Sequence, residues 1–97
     1  MEKKQILAVC TTPSILAVIQ RLINNNPNWQ CTGAATLKDV IQYFNQQPFD
    51  LVLLGSGLTE QEEHALIAHV NQKIPLVKHY GGGSGLLNCE IMQALPA

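Results

Sequence analysis

Apolar residues gather in short runs, and the spacing inside each run separates strand from helix. Leu51-Val52-Leu53-Leu54 is unbroken, lies between Pro48-Phe49-Asp50 and Gly55-Ser56-Gly57, and predicts a strand buried on both faces. Ile6-Leu7-Ala8-Val9-Cys10 predicts a second buried strand. Thr11-Thr12-Pro13 then ends it and opens a helix, with Thr12 as cap and Pro13 at the first helical position. Ile15, Val18, Ile19 and Leu22 recur at helical spacing, Leu16 and Ile23 widen the stripe, and Asn24-Asn25-Asn26-Pro27 stops it.

Trp29 to Ala35 predicts a weaker strand, with Gly33 placing it toward a sheet edge. Thr36 followed by Asp39 marks a helix start, and Leu37, Val40, Ile41 and Phe44 line one face before Gln46-Gln47-Pro48. Thr59 and Glu62 form a capping-box pattern ahead of a helix carrying Leu66, Ile67 and Val70. Ile74-Pro75 leads into Leu76-Val77-Lys78-His79-Tyr80, a strand that turns polar halfway as an edge strand does. Gly81-Gly82-Gly83-Ser84-Gly85 reads as a loop, and Leu87, Ile91, Met92 and Leu95 as part of a last short helix. Strands alternating with helices predict right-handed βαβ units, a parallel sheet and one α/β domain spanning 1–97.

Charged residues make up 13% of the chain, about half the usual one-quarter, which favours self-association. Six basic and seven acidic residues are dispersed, so no block neutralises phosphates and nucleic acid is not expected as a partner. The apolar run after the amino terminus is too short for a signal-peptide core or a membrane span. Cys10, Cys31 and Cys89 are odd in number and lack CxxC spacing, which points to reduced thiols in a cytoplasmic protein.

The candidate chemistry lies where strand tips converge. Binding crevices of open α/β sheets form at the C-terminal ends of the strands. That criterion selects Cys10, Thr11, Thr12, Gly55, Ser56, Gly57 and the segment Gly81, Gly82, Gly83, Ser84, Gly85 as an anion- or ligand-binding site. The same glycines also serve a bland purpose, permitting tight turns. Gly81-x-Gly83 is followed by Leu86 instead of a third glycine, so no dinucleotide cofactor is indicated. His64 and His69 are five apart and do not share a helix face, and with His79 elsewhere no metal site is expected.

Gln5 to Pro13 followed by an amphipathic helix, Ala34-Ala35-Thr36 before a second, Pro48 to Leu54, and Ile74-Pro75-Leu76-Val77 together resemble receiver domains of bacterial response regulators. The resemblance implies a flavodoxin-like three-layer sandwich with a four-stranded parallel sheet in the order 2-1-3-4. It also implies an acidic pair after strand one for Mg²⁺ and a phosphoacceptor aspartate at the end of strand three. Those positions align with Cys10 and Thr11 and with Gly55, and no carboxylate lies between Glu2 and Asp39. Asp50 starts the strand, five residues upstream and roughly 16 Å from the needed end at the usual rise per residue. The family's hydroxyl on strand four aligns with Tyr80. Its lysine on a fifth strand has no counterpart in the 17 residues from Gly81 to Ala97.

The resemblance therefore implies a shortened receiver-like regulatory or protein-interaction domain with no catalytic residues, no cofactor and an unknown signalling partner. Lys3 to Cys10 and Leu51 to Gly55 also resemble the cytoplasmic B components of cellobiose/lactose-type sugar phosphotransferase systems. That resemblance puts Cys10 at the position of a phosphorylated cysteine, making a phosphocysteine carrier one alternative; a small-anion or nucleotide binder using Gly81 to Gly85 is another. An open fourth-strand edge, with Lys78, His79 and Tyr80 as candidate interface residues, favours a homodimer through that edge and the last helix. The competing expectation is that residues 81–97 fold back over the edge.

Overall fold

The computed structural model describes residues 3–55, 57–70, 74–78 and 84–94, with the backbone alone described at 70, 84–86 and 88. Its elements follow in the order β1 (Lys4–Val9), α1 (Pro13–Asn24), β2 (Trp29–Ala34), α2 (Leu37–Gln46), β3 (Leu51–Leu54), α3 (Glu60–Val70), β4 (Leu76–Lys78) and α4 (Ser84–Ala94). All strand pairings are parallel and the order is β2-β1-β3-β4, as expected.

Strand alternation divides the apolar residues between two helical layers. Ile6 and Ala8 of β1 and Cys10 just after it, with Leu51 and Leu53 of β3, face Leu16, Ile19 and Ile23 of α1 and Leu87 and Ile91 of α4. Leu7, Val9, Val52 and Leu54 face the opposite layer, where Val40 of α2 and Leu66 of α3 pack. Every residue of β3 is 0% exposed, which fits its uninterrupted hydrophobic pattern.

Local signals account for the helix starts. Thr36 Oγ1 accepts from the Asp39 N–H at 3.1 Å. Thr59 and Glu62 make the reciprocal box, each backbone N–H donating to the other's side chain at 3.1 Å. Thr12 occupies the N-cap position with extended backbone but makes no side-chain capping bond, so Pro13 and the geometry of the turn start α1.

Several expectations need correction. Leu16, Ile19 and Ile23 form the buried face of α1, whereas Ile15 is 47% and Val18 44% exposed. Ile41, Ile67 and Met92 are exposed as well. Ser84 and Gly85 open α4 and do not belong to a loop. This helix lays Leu87 and Ile91 into the core beneath the sheet's α1 face. It therefore covers a face, and among the described residues nothing is hydrogen-bonded along the outer edge of β4.

Candidate functional site

Parallel order brings the C-terminal tips of β1 and β3 side by side. Gly55 N–H donates to the Val9 carbonyl at 2.6 Å, extending the ladder one residue past β3. Cys10 N–H donates to Ala34 O at 3.0 Å, so the chain leaves the sheet between β2 and β3. Cys10 is 0% exposed, and its thiol lies 3.8 Å from the Thr12 carbonyl oxygen.

The converging tips are packed against one another. A Cβ built on Gly55 would stand 2.9 Å from the Val9 carbonyl oxygen and 3.2 Å from the Cys10 Cβ. Gly57 has φ +113°, a conformation that favours glycine, and a Cβ there would run into Thr11 Oγ1. The Thr11 side chain therefore lies against the Gly57 backbone, at the position the receiver resemblance assigns to a metal-binding acid. The fold brings Cys10, Thr11, Gly55 and Gly57 together, and Thr12 is the N-cap of α1 beside them. Ser56, Gly81, Gly82, Gly83, His79 and Tyr80 lie outside the described residues. Ser84 and Gly85 are placed by the backbone of α4.

Acidic groups at this end of the sheet include Asp39 in the first turn of α2 and Glu60, Glu62 and Glu63 in the first turn of α3. Glu62 is committed to the capping box, and Glu63 Oε1 lies 3.7 Å from Lys78 Nζ. With Lys78 half exposed, this pair contributes at most about 1 kcal/mol. Among the described residues, no group of three or more histidine, cysteine or acidic side chains could hold a metal ion. His64 is exposed, while His69 tilts against Phe44 at 5.6 Å between ring centroids.

Two clefts lined by described residues both lie at the opposite end of the strands. One of about 390 Å³ is bordered by Lys3, Gln5, Gln30, Pro48 and Asp50. The other, of about 180 Å³, is an apolar notch formed by Phe44, Gln47, Pro48, Phe49 and Ile74. Asp50 is occupied structurally: its Oδ2 accepts the Gln5 N–H at 2.7 Å while its own N–H donates to Gln5 O at 2.7 Å. This exchange fixes the start of the β1–β3 register, and sequence spacing alone gave no sign of it.

Among the described residues, Cys31 is a thiol whose ionisation is strongly opposed by burial. Burial pushes its thiol from the usual 9.0 up to about 12, against a smaller opposing effect of a backbone hydrogen bond at Ala8. A thiol so unwilling to ionise is a packing group, inert as a nucleophile. The unfolded chain releases this proton above 9.0 while the fold retains it to about 12, so stability declines as pH rises through that window. The urea midpoint should fall more steeply there for the wild type than for Cys31→Ala; parallel curves would contradict this assignment.

No family model matches the sequence, and no curated protein matches it. Solved structures do match in fold. The signal receiver domain of an HD domain-containing protein from Pseudomonas fluorescens Pf-5 is 17% identical with a TM-score of 0.78, covering 96% of this chain and 94% of that one. Response regulator protein TrrA from Thermotoga maritima, in complex with Mg²⁺ and BeF, is 14% identical with a TM-score of 0.70, covering 95% and 99%. A structure of the phosphorylated P1 domain of CheA3 in complex with CheY6 from R. sphaeroides matches at 18% identity and a TM-score of 0.66, covering 94% and 97%. At these identities the likeness establishes architecture, and the described residues adopt the fold of CheY-like response regulator receiver domains.

Proposed function

We propose that this chain is a non-catalytic receiver-like regulatory domain that acts by binding other proteins and carries no aspartyl-phosphate chemistry. One observation carries the reading: the abutting tips of β1 and β3 present Cys10, Thr11, Gly55 and Gly57, and no carboxylate. Mg²⁺ takes hard oxygen ligands, usually including one or two carboxylates, and a buried thiol beside a threonine hydroxyl is a poor substitute. Gly55 has no side chain to accept a phosphoryl group, and Thr11 lies against Gly57 where a ligand would need room. The neighbour solved with a phosphorylated P1 domain supports protein association as a use of this fold.

The phosphocysteine alternative meets a steric difficulty, because Cys10 is fully buried. No helix among the described residues is long and apolar enough to cross a membrane, which is compatible with a cytoplasmic role.

Intact-mass measurement after incubation with acetyl phosphate and Mg²⁺, and separately with a phosphohistidine donor protein, tests the reading. The expected result is an unchanged mass in both. A phosphoryl adduct labile to hydroxylamine would overturn it in favour of acyl-phosphate chemistry. An adduct abolished by Cys10→Ser would overturn it in favour of the thiol carrier.

A further inference from the structure

The two edges of the sheet are finished differently. On β2, the outward N–H groups are occupied by the chain's own residues: Trp29 N–H donates to Asn26 O at 3.1 Å and Cys31 N–H to Asn24 Oδ1 at 2.8 Å. The Gln20 amide lies over Gly33, within 2.8 Å of where a Cβ would stand. This edge is closed to another strand.

The β4 edge has no such cover among the described residues. Pro75 O accepts the Val52 N–H at 3.0 Å, which sets the alternation of the β3–β4 ladder. Val77 therefore directs its N–H and C=O toward β3, while Leu76 and Lys78 direct theirs outward. Leu76 and Val77 are only partly buried, one on each face of the sheet. On the Leu76 face, Glu63 reaches Lys78 from α3, so the flank of α3 that overlooks β4 also carries Ile67, one turn further on and 39% exposed.

We propose that this edge pairs with a second copy of the chain, β4 against β4 in antiparallel register about a two-fold axis at Val77. The donor pattern is self-complementary in that arrangement. Leu76 and Lys78 are the outward-bonding residues, and they fall opposite the partner copy's Lys78 and Leu76 as hydrogen-bonded pairs, with Val77 facing its own copy between them. Each Lys78 meets an apolar residue, not another lysine, and keeps its own Glu63. The two α3 helices then flank the same face of a continuous sheet, and Ile67 of each copy covers the paired strands. A parallel alternative would set Lys78 directly beside Lys78. The inference rests on the reading of the chain as a binding module. It is tested by self-association, which gives a result independent of any phosphorylation assay.

Sedimentation of the full chain should show a reversible dimer, with Ile67→Glu weakening association at least tenfold and leaving the far-ultraviolet spectrum unchanged. In a Cys89→Ser background, which removes the exposed thiol, Val77→Cys should form a disulfide-linked dimer on mild oxidation. Facing residues of a non-hydrogen-bonded pair lie about 4.5 Å apart at Cα, within disulfide reach. A monomer at all accessible concentrations would overturn the proposal. So would a dimer that neither cross-links through Val77→Cys nor responds to Ile67→Glu.

Discussion

Replacing Gly55 with aspartate restores the residue type of a receiver phosphoacceptor, yet it should yield a destabilised protein that gains no phosphoryl group. The new Cβ would sit 2.9 Å from a backbone oxygen, that of Val9, which cannot rotate aside as a side-chain terminus can. A carboxylate at this buried position must also find hydrogen-bond donors or remain protonated. Overpacking costs about 1–3 kcal/mol, and burial of an unpaired polar group adds a comparable amount. The expected loss in urea denaturation is therefore about 3 kcal/mol or more. Even a folded variant would lack the acidic pair, because Cys10 and Thr11 occupy those places. Wild-type stability, or phosphorylation by acetyl phosphate, would show that the tips have more room than the packing allows.

A second large effect is expected at Gly57. Alanine there must adopt φ near +113° and place its Cβ into the Thr11 hydroxyl. The backbone conformation alone costs on the order of 1–3 kcal/mol, and the contact adds to it. Gly57→Ala should lose about 2–4 kcal/mol, which lowers Tm by roughly 10–20 °C for a domain of this size. Thr11→Ala removes the hydroxyl and leaves the backbone requirement, so the double variant should recover part of the loss. Full recovery would mean that the φ value carries no strain. No recovery would mean that Thr11 and Gly57 are not in contact.

The parts of this structure readable from sequence are those set by local chemistry. The unbroken Leu51–Leu54 run announced a strand covered on both faces, and the Thr59/Glu62 and Thr36/Asp39 spacings announced helix starts. Strand order followed from the receiver resemblance, and with it the meeting of Cys10 and Gly55. The α1 stripe was harder. Six of its residues between Ile15 and Ile23 are large and apolar, so periodicity alone could not decide which side of so wide a stripe meets the sheet. The fold chose Leu16, Ile19 and Ile23 and left Ile15 and Val18 outside.

What sequence could not supply is contact between distant residues. Nothing in the spacing links Thr11 to Gly57, Asp50 to Gln5 or Asn24 to Cys31. The first two are created by pairing of the sheet and the third by the turn between α1 and β2. Thr11 lies against Gly57 at the strand tips, Asp50 is spent on register, and Asn24 seals one edge while the other has no such cover among the described residues. The anticipated glycine loop illustrates a different limit. Helical backbone at Ser84 and Gly85 shows that a glycine-rich stretch can enter a helix when the apolar residues after it, Leu87 and Ile91, are drawn into a core.

Magnesium with beryllofluoride is the sharpest probe of the account, because it asks for metal and phosphoryl binding at once without requiring turnover. Amide resonances of Cys10, Thr11, Gly55 and Gly57, followed during titration of the full chain, should not move beyond the drift seen at residues on the opposite end of the sheet. Saturable shifts confined to those four amides would mean that the tips of β1 and β3 hold the ion and its ligand after all, and the reading of a receiver fold without phosphoryl chemistry would be wrong.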